Sequence, residues 1–218
     1  MEADAFVSFV LLSAEGGSRT CVFERGSIPD EPTLLNVETL KKSDLLHLDG
    51  NFLQSALYAA KIAKENGVTV SLDAGGLYPD IDKLLPYVDI LIPSAEFALG
   101  FTKKQDIPSA MKKLDELYHP QILVVTNGSD GGYYKDENGE YKHYPSFKVE
   151  VKDSNGAGDV FHGAFLAAYT SGYDVLRCCK FASATSAVKC TGVGVKQSIP
   201  TKERVKEFLR ERDEETAW

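Results

Sequence analysis

The sequence predicts an α/β fold, with a doubly wound, mostly parallel sheet and antiparallel hairpins at its edges. Three observations carry this expectation. Short apolar runs alternate with segments of helical spacing between residues 45 and 126, the pattern that right-handed crossovers produce. Two runs flanking Ala14-Glu15-Gly16-Gly17 open the chain as a hairpin, and a second pair around Glu137-Asn138-Gly139 follows the last parallel strand. The 218 residues are 43% hydrophobic and 26% charged, enough for a sizeable core, and contain no repeat, low-complexity tract or linker. One domain, 1–218, is therefore expected.

Taken in order, Phe6 to Leu12 and Arg19 to Phe23 are the strands of the opening hairpin. Pro29 and Pro32 punctuate a loop before a short helix at Asn36–Lys42 and a strand at Leu45–Asp49. Phe52 to Glu65 places Leu53, Leu57, Ala60, Ile62 and Ala63 at helical spacing and stops at Asn66-Gly67, a natural C-terminal cap. A strand at Val68–Leu72, a helix at Asp80–Val88, a strand at Ile90–Ile92, a helix at Ser109–Tyr118 and a strand at Ile122–Thr126 continue the alternation. Gly132–Lys135 and Glu140–Tyr144 form the second hairpin, and Phe147–Val151 reads as one more strand. Three helices complete the chain, at Val160–Ser171, Val175–Cys190 and Lys202–Arg212, the last capped by Thr201.

Charge and composition exclude several classes. A formal charge of −8 argues against nucleic acid or an anionic membrane as partner. The N-terminus has acids where a signal peptide has bases, and no apolar run approaches the ~20 residues of a membrane span. A cytoplasmic protein is expected. Cys21, Cys178, Cys179 and Cys190 lack C-x-x-C spacing and read as buried reduced thiols. His47, His119, His143 and His162 are scattered with no metal-binding pattern, and Asn127-Gly128-Ser129 is a chance glycosylation sequon.

The stretch from Asp153 to Asp159, Asp-Ser-Asn-Gly-Ala-Gly-Asp, carries the chemistry. Gly156, Ala157 and Gly158 stand where a helix begins, so no bulky side chain screens the unpaired N–H groups of its first turn. The helix dipole adds positive potential at that end, which makes it an anion site. Asp159 sits next to the anion. A carboxylate beside a phosphate is unfavourable unless it has chemical work, and taking the proton of an attacking hydroxyl in phosphoryl transfer is such work. An acid near a helix N-terminus also serves plain capping, so the tetrapeptide alone leaves both readings open.

No G-x-x-x-x-G-K-[ST] occurs, and the glycine following Gly156-x-Gly158 is Gly163, which breaks the dinucleotide spacing. In open α/β sheets ligands gather at the C-terminal ends of strands. Asp49, Asp73, Ser94, Glu96 and the run Thr126-Asn127-Gly128-Ser129-Asp130-Gly131 fall at such ends and are expected to face one crevice. Each alone is an ordinary turn residue; the joint placement is what points to a site.

The string Asp153 to Leu166 resembles the C-terminal signature of the ribokinase-like, phosphofructokinase-B family of carbohydrate kinases, Asp-Thr-x-Gly-Ala-Gly-Asp followed by a small apolar helix. Ser154 stands for the usual Thr and keeps the hydroxyl. The resemblance extends over nearly the whole chain and implies a three-layer α/β/α ribokinase-like fold and an ATP-dependent kinase acting on a carbohydrate or related hydroxyl compound. It implies that Gly156, Ala157 and Gly158 form the anion hole with Asp159 as base. Thr126, Asn127, Gly128, Ser129, Asp130 and Gly131 would hold ATP, with Ser183 lining the adenine pocket. Asp49 would contact an acceptor hydroxyl. Asp153, Ser198 and carbonyls between Lys189 and Gly194 resemble the family's potassium site.

Two departures qualify the match. The family often has Asn-x-x-Glu where this chain has Ser94-Ala95-Glu96-Phe97, so Glu96 is shifted by one as a magnesium ligand and is expected to act through water. The family's N-terminal segment, with a Gly-Gly-Asn region and an early Asp that hold the sugar, has no counterpart ahead of Phe6. The 218 residues are therefore expected to bind nucleotide weakly and phosphorylate sugar poorly, with a nucleotide-binding pseudokinase or inactive fragment as the alternative. Uncovered edges favour pairing of the opening hairpin with another copy, a homodimer, or with a separate chain.

Overall fold

The computed structural model describes residues 3–12, 19–212 and Glu214. By internal contacts the chain falls into two compact units, one of residues 1–28 and 145–218, the other of residues 29–144.

The second unit holds a six-stranded sheet. Its strands are β3 (Leu45–Leu48), β4 (Thr69–Ala74), β5 (Ile90–Pro93), β6 (Ile122–Thr126), β7 (Gly132–Lys135) and β8 (Tyr141–Tyr144), and they lie side by side in chain order. β3 to β6 are parallel, and β7 and β8 return antiparallel as the expected edge hairpin. Helix α1 (Val37–Lys41) leads into β3; α2 (Leu53–Glu65) crosses from β3 to β4, two 3₁₀ turns from β4 to β5, and α3 (Ala95–Thr102) with α4 (Ile107–Tyr118) from β5 to β6. Ala56, Ala60 and Ala63 of α2 and Ala110, Met111 and Leu114 of α4 share one buried cluster with Val70, Leu72, Leu91, Leu123 and Val125 of the strands. The alanines keep α2 close to the sheet. The central strands β5 and β6 are buried on both faces, which is why they read as continuous apolar runs rather than alternating ones.

In the other unit β1 (Val7–Leu12) and β2 (Arg19–Glu24) pair antiparallel as a separate two-stranded sheet. The turn expected at Ala14 to Gly17 lies outside the described residues. Helices α5 (Ala157–Thr170) and α6 (Val175–Cys190) pack along each other, and α7 (Lys202–Arg210) packs on α6. Phe165, Ala168, Cys178, Cys179, Ala182 and Leu209 are buried here. Asp174 and Thr201 cap α6 and α7 by accepting the backbone N–H of Arg177 and Arg204.

Four expectations are corrected. Asp80–Val88 is not one α-helix but two short 3₁₀ turns, Ile81–Lys83 and Leu85–Tyr87. Pro86 has no N–H for the carbonyl four residues back, and its ring would collide there, so an α-helix cannot run through it. Helix α3 was unforeseen: Ser94, read as a strand-end residue, is its N-cap, accepting the Phe97 N–H at 3.1 Å. Phe147–Val151 forms no strand; the Phe147 ring instead meets Phe208 of α7 edge-on at 5.5 Å. Helix α5 begins at Ala157 rather than Val160, which brings Gly158 and Asp159 into its first turn.

Candidate active site

The loop from Asp153 into α5 is built by α6. The Cys190 carbonyl accepts the N–H groups of Lys152 and Asp153 at 2.8 and 3.2 Å. The Lys189 ammonium donates to the Asp153 carbonyl at 2.8 Å, and the Ser186 hydroxyl donates to the Ala157 carbonyl at 2.8 Å. Successive turns of one helix thus grip the loop at both ends. The Asp153 carboxylate accepts Asn155 N–H at 2.8 Å and Gly194 N–H at 2.9 Å, closing an Asx turn and tying in the segment after α6.

Gly156 is the N-cap of α5 in the left-handed region, φ 73°, and no side chain caps this end. A Cβ on Gly156 would lie 2.6 Å from Val195 Cγ1, so space and dihedral both demand glycine. At Gly158 a Cβ would meet nothing within 4 Å. That open ground in front of an uncapped, 14-residue helix suits a phosphate. Asp159 is exposed in the same first turn. Ser183 is buried on α6, one turn before Ser186.

In the sheet unit, the C-terminal ends of four adjacent parallel strands bring Asp49, Asp73, Ser94 and Thr126 along one edge, with a parallel bridge joining Ser94 to Thr126. Asp49 is exposed and accepts Asn51 N–H at 3.0 Å and Asn51 Nδ2 at 2.8 Å. After β6, Gly128–Asp130 makes one 3₁₀ turn, with Gly128 at φ 55° and Gly131 at φ 84°. The Asn127 N–H closes the loop onto the Gly131 carbonyl at 2.8 Å, and His143 Nε2 donates to the Asp130 carbonyl at 2.8 Å from β8. Gly132 cannot change: a Cβ would fall 2.2 Å from the Val125 carbonyl oxygen.

Glu96 is exposed in the first turn of α3, and no group of three or more His, Cys, Asp or Glu able to hold a metal exists among the described residues. That suits magnesium only as an ion carried largely by water and phosphate oxygens, with Glu96 placed for at most one outer contact. The potassium set fits less well. The Asp153 carboxylate already holds two N–H groups and lies 3.9 Å from the Lys189 ammonium, while the Ser198 hydroxyl donates to the Val193 carbonyl at 3.0 Å. A second cation at Asp153 would face a buried positive charge.

Sequence reasoning missed Lys189, Ser186 and Cys190 as loop supports. A lysine in an otherwise small and apolar helix stretch, Ala182 to Cys190, was the available signal for the first. The other two make contacts that only the packing of α6 creates.

A mostly parallel sheet crossed by helices defines an α/β protein, and an uncapped helix N-terminus is a place that can take an anion. The chain belongs to the pfkB family of carbohydrate kinases, whose model matches residues 3–202. It is 30% identical over 187 residues to the ATP-dependent ribose-1-phosphate kinase of Halopiger xanaduensis, covering 83% of this chain and 60% of that protein. It is 32% identical over 156 residues to the ribokinase of Haemophilus influenzae, covering 69% of this chain and 50% of that one. The crystal structure of ribokinase from Thermotoga maritima superposes with a TM-score of 0.81 at 28% identity, covering 96% of this chain and 71% of that one. The expected ribokinase-like α/β fold is thus the one found. The chain spans between half and three fifths of the length of these two curated relatives. Among the described residues no helix is long and apolar enough to cross a membrane.

Proposed function

We propose that this chain carries the catalytic machinery of an ATP-dependent kinase that transfers the γ-phosphate to a hydroxyl of a carbohydrate or related small molecule. The observation that supports it most is the uncapped N-terminus of α5, open at Gly158, with the exposed carboxylate of Asp159 in the same turn. The similarity to the Halopiger xanaduensis protein, an ATP-dependent kinase, supports ATP as donor. When bound, ATP supplies the phosphoryl group and magnesium offsets its charge.

The remaining roles fall to the chain's own residues. Asp159 takes the proton of the acceptor hydroxyl. The first-turn N–H groups behind Gly156, Ala157 and Gly158 stabilise the charge that develops on the phosphoryl oxygens. We assign Thr126 to Gly131 and Ser183 to nucleotide, Asp49 to an acceptor hydroxyl and Glu96 to an outer contact with magnesium. Residues 1–218 are proposed to act as one ribokinase-like domain in the cytoplasm, where free thiols persist. The partner is a second copy through the β1–β2 hairpin.

The test is direct. Protein, ATP, magnesium and a panel of sugars and nucleosides are incubated and ADP is measured. Asp159→Asn should lower kcat by a factor of ~10²–10⁴ if this side chain is the base; unchanged kcat would remove that role. The exposed, unclustered Glu96 favours a second reading, a nucleotide-binding pseudokinase. It predicts nucleotide binding by calorimetry with no ADP for any acceptor.

A further inference from the structure

Lys189 is fully buried in the last turn of α6, a rare place for an ammonium. Such a charge persists away from water only against an opposite charge and with its donors engaged. Both conditions are met at one residue: Lys189 Nζ donates to the Asp153 carbonyl at 2.8 Å and lies 3.9 Å from Asp153 Oδ1, itself on a residue 5% exposed. Asp153 opens the loop that ends at Asp159. Its carboxylate also holds Asn155 N–H inside the loop and Gly194 N–H from the segment after α6. The ammonium therefore stands where three pieces of backbone meet: the start of the phosphate loop, the end of α6, and the Gly192–Ser198 segment, whose carbonyl at Val193 takes the Ser198 hydroxyl.

A hard monovalent cation binding to these carbonyl and carboxylate oxygens would neutralise Asp153 and fix the loop. A tethered ammonium with the same unit charge already does so, and like charges so close in a buried region repel strongly. We propose that Lys189 is the resident cation of this loop: it does the work of a potassium ion there, and the phosphate loop of this chain is independent of potassium. The inference rests on the loop being the phosphate site only for its functional meaning. The charge geometry stands apart from any turnover.

The test uses the 218-residue protein without substrate. Thermal melts are recorded in matched concentrations of potassium, sodium and choline chloride, and thallium(I), a potassium mimic, is titrated with NMR detection. The wild-type melting temperature should be the same in all three salts, with no saturable thallium site. Lys189→Ala removes the charge and leaves space for an ion, so its melting temperature should fall in choline and recover in part with potassium. Simple loss of packing would not respond to the ion. Lys189→Gln, which keeps most of the volume, replaces it if the alanine variant does not fold. A potassium-selective rise in wild-type stability, or saturable thallium binding, would overturn the proposal. So would a folded variant that melts identically in potassium and choline. None of these readouts depends on phosphate transfer, so failure of the kinase assignment shows in the Asp159→Asn assay and not here.

Discussion

Gly156 and Gly158 stand two residues apart, yet the structure gives them different duties. At Gly156 the left-handed dihedral and the 2.6 Å approach to Val195 make any side chain strained. Gly156→Ala should therefore lose on the order of 1–2 kcal/mol of stability, read from a denaturant melt. Gly158 has open space, so Gly158→Val should fold with an unchanged midpoint and lose affinity for ATP by calorimetry, because its methyls occupy the ground a phosphate needs. Wild-type affinity in that variant would sink the anion assignment. The cysteines divide in the same way. Burial, with Asp174 adding to it, pushes the Cys178 thiol up to about 12, and burial holds Cys179 well above its ordinary range. Cys190 is buried, but Cys21, expected to be buried too, is exposed on the β1–β2 hairpin, whose strand pairs with one neighbour only. A thiol reagent on the native protein should react quickly at Cys21 alone, and fast labelling of a second cysteine would show that α6 opens.

Helix α2 shows how an element is finished by residues remote in sequence. Its N-cap position, Phe52, offers no side-chain acceptor, and Asp30, more than twenty residues earlier, accepts the N–H groups of Gln54 at 2.7 Å and Ser55 at 2.9 Å. Burial raises the Asp30 carboxyl, but hydrogen bonds from the Ser55 hydroxyl and the Ser55 and Gln54 N–H groups outweigh it, and the net shift is downward. A carboxylate lowered in the folded state contributes stability that is fully present above its unfolded value of ~3.9 and is lost as pH falls through the lower folded value. Asp30→Ala should cost about 1 kcal/mol at neutral pH, as lost caps do. The difference from wild type should close as the pH drops below ~4, which urea melts at a series of pH values would show. A pH-independent difference would mean that Asp30 acts through packing instead. Helix α6 is the counterpart in the other unit: Ser186, Lys189 and Cys190 make it the support of the Asp153–Asp159 loop as well as a packing partner of α5.

At the scale of the molecule, the β1–β2 hairpin carries the clearest unfinished surface. Residues paired across an antiparallel ladder share a face, so Val7, Phe9, Leu11 and Val22 lie together, with Phe9 69% and Leu11 64% exposed. A two-stranded apolar sheet is marginal in water by itself. Sedimentation of the 218-residue protein should show self-association, and Phe9→Lys should return it to monomer while leaving the melting of the sheet unit unchanged. A wild-type monomer at tens of micromolar would reject the pairing. The proposal of one domain is checked by calorimetry: a single transition with equal calorimetric and van't Hoff enthalpies is expected, and two resolved transitions would mean that the units described above unfold separately.

The sequence by itself determined what depends on local chemistry and period. The central parallel strands β5 and β6 appear as apolar runs, Asn36 and Thr201 announce helix starts, Asn138-Gly139 announces a hairpin, and Gly156-Ala157-Gly158-Asp159 announces an open helix N-terminus. These are short-range preferences, legible wherever the chain carries them. The failures were of two kinds. Pro86 and Ser94 were local signals outweighed by a strong apolar pattern, so a helix was expected through the one and none after the other. The rest only tertiary structure decided. Phe147–Val151 is strand-like in composition, but a strand needs a neighbour for its backbone groups, and the fold gave it helix α7 instead. Asp30 on α2, and Lys189, Ser186 and Cys190 on the Asp153–Asp159 loop, are contacts across 24 to 38 residues. No spacing rule reaches that far, because which distant groups meet is set by the packing of whole elements.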